Sequence, residues 1–134
     1  MKHNILETIG NTPLVQLNKL VESIDATVCA KLEFFNPGLS TKDRIVMKII
    51  EDAEEKGLIN NGSTLIDATS GNTGISIAMA AKVRGYKCIL CVKDSIAEEK
   101  HQMLKSLEAE VVLCPAGVDP EHPESYYSKA LELS

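Results

Sequence analysis

Short runs of aliphatic and β-branched residues alternate with longer amphipathic stretches along the chain. The runs at 14–17, 27–31, 64–68, 87–92 and 110–114 predict strands. The stretches at 41–56, 73–84, 96–107 and 124–134 predict helices. Such alternation is typical of βαβ units around a parallel sheet. We therefore predict an α/β fold with a three-layer open sheet, mostly parallel, of about four strands with helices on both faces.

The two helices nearest the middle of the chain differ in their apolar pattern. In 41–56, Ile45, Ile49 and Ala53 recur every four residues and predict a core-facing stripe, which Val46 and Ile50 widen. Ser40 is the expected N-cap of this helix, with Asp43 three residues later as in a capping box. The stretch 73–84 is apolar almost all round, which predicts the most buried helix of the fold.

Composition limits the class of protein. The 134 residues suit a single α/β domain spanning 1–134, and 44% of them are hydrophobic, enough to build a core. The net charge is −5, and the basic residues are scattered among acids, so we expect no nucleic-acid partner. No run approaches the roughly 18 apolar residues of a membrane span, so we expect no membrane partner.

The cysteines and histidines do not suggest a metal site. The four cysteines lie in or beside strand-like apolar runs: Cys29, Cys88, Cys91 and Cys114. We interpret them as reduced core thiols rather than metal or redox ligands, which favours a cytoplasmic location. The histidines are far apart and share no metal spacing, so we expect no metal.

The turn TSGNTG at 69–74 joins a predicted strand to the predicted buried helix. Helix N–H groups and the helix dipole favour an anion at such a position. Gly71 and Gly74 would let a ligand approach the backbone, and hydroxyl or amide side chains surround them: Thr69, Ser70, Asn72 and Thr73. The alternative is a tight turn in which Asn72 or Thr73 caps the helix. The spacing alone favours neither interpretation.

Lys42 begins the helix predicted at 41–56. A cation meets the positive end of the helix dipole there, which favours the uncharged amine needed for attack on an aldehyde. The alternative is an ordinary surface lysine in a first helical turn.

Taken together, these motifs resemble a known family. The residues KLEFFNPGLSTKDR at 31–44 and IDATSGNTG at 66–74 resemble the fold-type II pyridoxal-phosphate enzymes, within the cysteine synthase / cystathionine β-synthase family. IGNTPL at 9–14 and IEDAEEKG at 50–57 extend the resemblance over nearly the whole chain. PESYYS at 123–128 is more similar to the cystathionine β-synthase branch.

The resemblance implies a site and a reaction. Lys42 would carry pyridoxal 5′-phosphate as a Schiff base, and Asn72 would bond the pyridoxal 3′-oxygen. The substrate carboxylate would be bound by the turn, at Thr69, Ser70, Gly71, Asn72 and Thr73. The implied reaction is β-replacement on serine or an O-activated serine by a sulfur nucleophile, a transferase or lyase step of amino-acid biosynthesis.

The chain departs from the family pattern in two ways. Leu39 stands where the family usually has a second glycine, so we expect the loop beside the cofactor to be tighter or shifted. The resemblance covers only the amino-terminal part of the family, whose second domain and glycine-rich phosphate loop lie further on. We therefore expect this truncated chain to lack turnover and to hold the cofactor weakly or not at all.

Two other functions remain open. The chain could be a partial copy that acts as a binding or regulatory partner of a full-length enzyme. Uncovered apolar surface would favour self-association, and we expect a homodimer. A Rossmann-like nucleotide site at 69–74 is less favoured, because the turn has neither GxGxxG nor the P-loop pattern.

Overall fold

The computed structural model describes residues 1–69 and 71–134. In chain order it contains β1 (Leu14–Gln16), β2 (Cys29–Lys31), α1 (Lys42–Glu55), β3 (Thr64–Ala68), α2 (Asn72–Arg84), β4 (Lys87–Lys93), α3 (Glu98–Ser106), β5 (Glu110–Cys114) and α4 (Tyr126–Leu133). Short 3-10 helices lie at Ile5–Thr8, Lys19–Val21 and Glu33–Phe35. The predicted α/β class is confirmed, and each predicted element is present within about two residues of its expected bounds. Among the described residues, no helix combines the length and apolarity needed to cross a membrane.

The strands divide into two sheets. β3, β4 and β5 are parallel in that spatial order, with Thr64 opposite Lys87 and Ile89 opposite Glu110. β1 and β2 form a separate antiparallel pair. β1 and β2 are antiparallel because residues 17–28, which connect them, contain only the 3-10 turn at Lys19–Val21 and no crossover helix.

α2 fills the centre of the molecule. Ala78, Ala80 and Ala81 are at most 1% exposed, which confirms the prediction that this helix is the most buried. Their small side chains let α2 lie close to Leu90 and Val92 of β4, which are fully buried. α4 covers the opposite face of the sheet, so helices lie on both faces as predicted. The apolar packing fixes where α2 begins, at the carboxyl edge of the sheet.

α1 packs against the core along one edge of the predicted stripe. Val46, Met47 and Ile50 are buried against α2 and the amino-terminal segment, whereas Ile45 is 46% and Ile49 is 64% exposed. The prediction is therefore confirmed for Val46 and Ile50 and wrong for Ile45 and Ile49. Two overlapping four-residue series lie side by side on this helix, and the pattern alone does not say which one is packed. The exposed series continues from Lys42, one turn before Ile45.

The cysteines are free, as predicted, but one of them is not in the core. Cys88, Cys91 and Cys114 are buried in the parallel sheet, whereas Cys29 is exposed. Cys29 lies on β2, in the small antiparallel sheet rather than in the packed parallel one. Burial raises the pKa of the Cys88 thiol to about 11, so this group stays protonated near neutral pH.

Candidate functional site

Within the described residues, the amino terminus of α2 has no side-chain cap. Gly71 is the N-cap residue, with φ −127°, and it has no side chain. Elsewhere in the described part of the chain, no side chain accepts a hydrogen bond from the first amides of α2. The interpretation in which Asn72 or Thr73 caps the helix is therefore wrong. The first N–H groups of a buried helix are left as donors at the carboxyl edge of the sheet. Ser70, one of the predicted site residues, lies outside the described residues.

Gly74 lets α2 approach the preceding strand. It is buried, and a Cβ there would lie 2.8 Å from Thr69 Cγ2 and 3.4 Å from Leu90 Cδ1. Thr69 is fixed in turn, since its backbone N–H donates to the Cys91 carbonyl at 3.0 Å. Its hydroxyl oxygen accepts from the Gly71 N–H at 3.4 Å. The turn is thereby anchored to β4 while its glycines keep the backbone open.

Lys42 and Thr73 line the same cavity. The cavity has a volume of about 390 Å³ and lies between α1, β3 and α2. Its apolar wall includes the exposed isoleucines of α1 and Ile66 of β3. Thr69, Gly71 and Asn72 lie on the adjoining turn but do not line the cavity. The structure thus brings the predicted amine and one member of the predicted turn together.

Asp67 is a further acidic group in this cavity that the sequence reasoning missed. It pairs with Leu90 across β3 and β4, so its side chain lies on the sheet face that α2 covers. Burial raises the pKa of the Asp67 carboxyl, which favours its protonated form. The sequence feature that could have identified Asp67 is its position as the acidic residue near the end of the otherwise uncharged strand β3.

The loop before α1 accommodates Leu39 without a glycine. Residues 36–39 form a turn closed by the Leu39 N–H, which donates to the Asn36 carbonyl at 2.8 Å. Leu39 has φ +60° and is 66% exposed. Glycine takes this left-handed conformation freely, whereas a leucine is strained in it. The departure from the family pattern therefore appears as backbone strain.

Asp43 is fully buried beside this loop. Its carboxyl accepts a hydrogen bond from the Gly38 N–H at 2.6 Å and another from the Ser76 hydroxyl at 2.5 Å. Ser40 Oγ accepts from the Lys42 N–H at 3.1 Å, but the N-cap residue of α1 is Thr41, so the N-cap predicted at Ser40 is one residue too early. Asp43 does not complete the predicted capping box, because it reaches Gly38 and α2 instead.

Arg44 and Glu33 form the second polar contact at the start of α1. Arg44 Nε and Nη2 donate to the two oxygens of Glu33 at 3.0 and 3.1 Å, and Nη2 also donates to Thr12 Oγ1 at 2.9 Å. The hydrogen bond from Arg44 lowers the pKa of Glu33 to about 2. Asn36 extends the network, since its Oδ1 accepts from the Gly10 N–H at 2.8 Å. The amino-terminal segment is thus tied to the helix that carries Lys42.

Lys42 is the cation available to a ligand in this cavity. Its side chain forms no ion pair within the described residues, whereas the nearby cation of Arg44 is committed to Glu33. Among the residues that the structure describes, no group of three or more histidine, cysteine or acidic side chains is arranged to hold a metal. The cavity offers an amine, the Thr73 hydroxyl and an apolar wall, and the first amides of α2 lie on the adjoining turn.

Comparison with known proteins gives a family for this arrangement. Residues 5–133 match the family described as "Pyridoxal-phosphate dependent enzyme". The chain is 47% identical over 132 residues to a cystathionine beta-synthase of Apis mellifera, covering 97% of this chain and 26% of that protein. It is 53% identical over 112 residues to a cysteine synthase of a Flavobacterium species, covering 84% of this chain and 36% of that one.

Solved structures give the same result. An O-ureido-L-serine synthase superposes with a TM-score of 0.86 at 35% identity, over 99% of this chain and 41% of that one. A hydrogen sulfide-producing enzyme of Fusobacterium nucleatum superposes with a TM-score of 0.88 at 39% identity, over 99% of this chain and 42% of that one. The chain thus spans between about a quarter and two fifths of the length of these relatives. On sequence and on fold, it belongs to the pyridoxal-phosphate dependent enzyme family.

Proposed function

We propose that this chain is the amino-terminal portion of a pyridoxal-phosphate dependent β-replacement enzyme. Its substrate would be serine or an O-activated serine, and its second reactant a sulfur nucleophile. The observation that carries the proposal is the cavity that Lys42 and Thr73 share, next to the uncapped start of α2. The similarity to cystathionine beta-synthase and cysteine synthase supports the substrate class.

The residues present suit part of the cofactor. Lys42 is an exposed primary amine at a cavity mouth, which is what condensation with an aldehyde requires. The backbone N–H groups at the start of α2 and the side-chain amide of Asn72 are donors for oxygen atoms such as the pyridoxal 3′-oxygen. The cofactor phosphate needs a cradle of N–H groups, which the family resemblance assigns to a loop beyond this chain.

Lys42 is proposed to do two jobs. Its Nζ would hold the cofactor, and the same amine would be the base that takes the proton from the substrate α-carbon. Pyridoxal phosphate, when bound, supplies an electron sink for the charge left on that carbon. The exposed isoleucines of α1 line the same cavity as Lys42.

The turn at 69–74 is proposed to bind the substrate carboxylate. The N–H groups at the start of α2 and the hydroxyls of Thr69 and Thr73 are suitable donors, with Ser70, Gly71 and Asn72 completing the proposed set. A carboxylate at the amino end of α2 is also stabilised by the helix dipole. The orientation of the α-carbon toward Lys42 would follow from that contact.

Labelling the chain with the cofactor tests this proposal. We would incubate the protein with pyridoxal 5′-phosphate, reduce with borohydride, digest and locate the label by mass spectrometry. We expect the label at Lys42 in preference to Lys48, which is exposed on the same helix. Labelling spread evenly over surface lysines would contradict the proposed function.

A dialysis experiment tests the proposal that this portion is inactive alone. Without a phosphate cradle, we expect little visible absorbance to remain after dialysis of the unreduced complex, and no turnover with O-activated serine and sulfide. A stoichiometric yellow cofactor that survives dialysis would show that the chain needs no further phosphate site.

A second function is favoured by the apolar surface near α1. Phe34, Phe35, Leu39 and Ile49 are between 58% and 66% exposed. Such a surface favours a partner, so a non-catalytic partial copy that pairs with itself or with a full-length enzyme is the competing proposal. Light scattering of the purified chain separates these states. A homodimer is the expected result, and a monomer at high concentration would contradict it.

The cytoplasm is the proposed location. Cys91 and Cys114 are buried, and burial raises the pKa of each thiol, which keeps both groups protonated and weakly reactive. Buried thiols of this kind suit a reducing compartment.

A further inference from the structure

One buried polar unit joins the helix that carries Lys42 to the helix that begins at the proposed anion site. The Asp43 carboxyl accepts from the Gly38 N–H at 2.6 Å and from the Ser76 hydroxyl at 2.5 Å. Ser76 Oγ also lies 3.0 Å from the carbonyl oxygen of Asn72, the first residue of α2. The unit therefore runs from the loop before α1, through the residue next to Lys42, to the first turn of α2.

We propose that Asp43 is a positioning residue, which holds the first turn of α1 against the first turn of α2 so that Lys42 and Thr73 line one cavity. The inference rests on the proposed function, because it assigns Asp43 a role through Lys42. Asp43 itself does not line the cavity, and it acts by fixing its neighbour.

The burial of Asp43 supports a geometric role. The side chain is 0% exposed, and Ser76 is 1% exposed. Taking a carboxyl group out of water is costly unless its oxygens are hydrogen-bonded, and an apolar residue would fill the same space without that cost. The adjacent cation, Arg44, does not compensate it, because Arg44 is bonded to Glu33. The carboxyl instead makes two directional hydrogen bonds, one with the Gly38 N–H in the loop before α1 and one with the Ser76 hydroxyl on α2.

Gly38 makes the arrangement possible. A Cβ at this position would collide with the Asp43 carboxyl, so the close approach of the loop backbone needs glycine here. The Gly38 N–H is thereby brought within a short hydrogen bond of Asp43. The loop, α1 and α2 are held at a single carboxyl group, and a shift at any one of them moves Lys42 relative to α2.

The test measures how selectively Lys42 reacts. The 134-residue chain is incubated with pyridoxal 5′-phosphate, whose aldehyde condenses with the amine and releases water. Borohydride then delivers hydride to the C=N carbon and leaves a stable secondary amine. The measured quantity is the initial labelling rate at Lys42 divided by that at Lys48, the exposed lysine on the same helix. Both rates come from the same folded molecules, isolated by gel filtration, so a loss of folded protein does not change the ratio.

Ser76→Ala is the main variant, and Ser125→Ala is its matched control. Both serines are 1% exposed and hydrogen-bonded, but Ser125 lies at the start of α4 and bonds the Pro120 carbonyl. We expect Ser76→Ala to lower the ratio about tenfold, because sub-ångström displacement of a reacting group costs large factors in rate. Ser125→Ala should leave it within about twofold. Ser76→Thr, which keeps the hydroxyl, should restore most of the selectivity.

A double-mutant cycle with Asp43→Ala completes the test. Alanine removes both acceptor oxygens, so this variant should also lower the ratio. We expect the Asp43→Ala/Ser76→Ala double variant to have a ratio no lower than that of the more affected single variant, since both substitutions break the same set of hydrogen bonds. Unchanged selectivity in Ser76→Ala, or independent effects in the double variant, would overturn the positioning role. Wild-type protein that labels Lys42 no faster than Lys48 would instead overturn the proposed function.

Discussion

Two cavities lie against the parallel sheet, and the larger one is not the proposed site. The cavity at the amino ends of the strands has a volume of about 590 Å³ and is lined by charged residues such as Lys82, Lys87 and Glu108. The other cavity has a volume of about 390 Å³ and runs along β3 toward its carboxyl end, where Lys42, Asp67 and Thr73 line it. Size alone would favour the first.

The difference lies in how the polar groups are satisfied. At the amino end, Lys82 pairs with Glu108, so the charges there neutralise each other. At the carboxyl end, Lys42 has no ion pair within the described residues, and the first amides of α2 have no side-chain cap there. The helix dipole adds a positive field at this end only. Groups left available in a fixed geometry indicate a ligand site better than volume does.

Replacing the lysine of each cavity gives the largest expected contrast. Lys42→Ala should abolish selective labelling by pyridoxal 5′-phosphate, because no other amine opens into the carboxyl-end cavity among the described residues. Lys82→Ala should leave labelling at Lys42 unchanged. Peptide mapping after borohydride reduction measures both. If selective labelling persists in Lys42→Ala, another lysine is the residue that binds the cofactor.

Two glycines of the 69–74 turn should differ sharply in what they tolerate. Gly74→Ala forces a methyl group against Thr69 and Leu90, and we expect it to lower the free energy of unfolding by about 1–3 kcal/mol. Gly71→Ala meets no atom within 4 Å and should change the free energy by about 0.5 kcal/mol or less. Urea unfolding followed by circular dichroism measures both. Equal losses would mean that α2 does not depend on close approach to Thr69.

The Glu33–Arg44 contact predicts an acid-sensitive start of α1. The pKa of Glu33 falls from 4.5 to about 2 on folding, so its contribution to stability is present in full above the unfolded value. That contribution is lost as the pH falls from about 5 toward 2. In Arg44→Met, Glu33 loses its main hydrogen-bond partner. The urea midpoint of this variant should therefore fall less than that of the wild-type protein as the pH is lowered from about 5 toward 2. An identical fall of the urea midpoint in both proteins would show that Glu33 does not cause the acid sensitivity.

The smallest expected effects concern two residues with left-handed backbone, one at each end of the sheet. Leu39 has φ +60° and Glu108 has φ +63°. Relief of that strain should outweigh the extra conformational freedom of glycine in the unfolded chain. Leu39→Gly should therefore raise the free energy of unfolding by about 0.5–1 kcal/mol. Glu108→Gly should gain less, because it also removes an exposed ion pair with Lys82. Thermal unfolding measures the difference, and a loss of stability in Leu39→Gly would contradict the strain.

The sequence predicted the elements well because their periods were clear. The alternation of strands and helices gave the α/β class, and the continuous apolar character of 73–84 gave the most buried helix. The pattern in α1 was ambiguous, because the Ile45 and Val46 series both have helical spacing, and only contact with α2 selects between them. Cys29 was misjudged for a similar reason, since a strand-like run does not reveal which sheet it joins.

The proposed site was predictable as a set of motifs but not as a geometry. The sequence motifs alone make Lys42 and Thr73 candidates, and folding brings them to one cavity. Asp67 was not singled out, because its importance comes from burial beside α1. The contact between Asp43 and Ser76 joins residues 33 positions apart, and local spacing carries no information about such a pair.

β3 forms an outer strand of the described sheet, with β4 on one side only. The backbone groups of Thr64–Ala68 that point away from β4 therefore form a template for another strand. At the concentrations used for crystallisation or NMR, this row can join molecules edge to edge and seed precipitation. Handling of the isolated chain should therefore favour dilute samples, or a lysine or proline placed along that outer row.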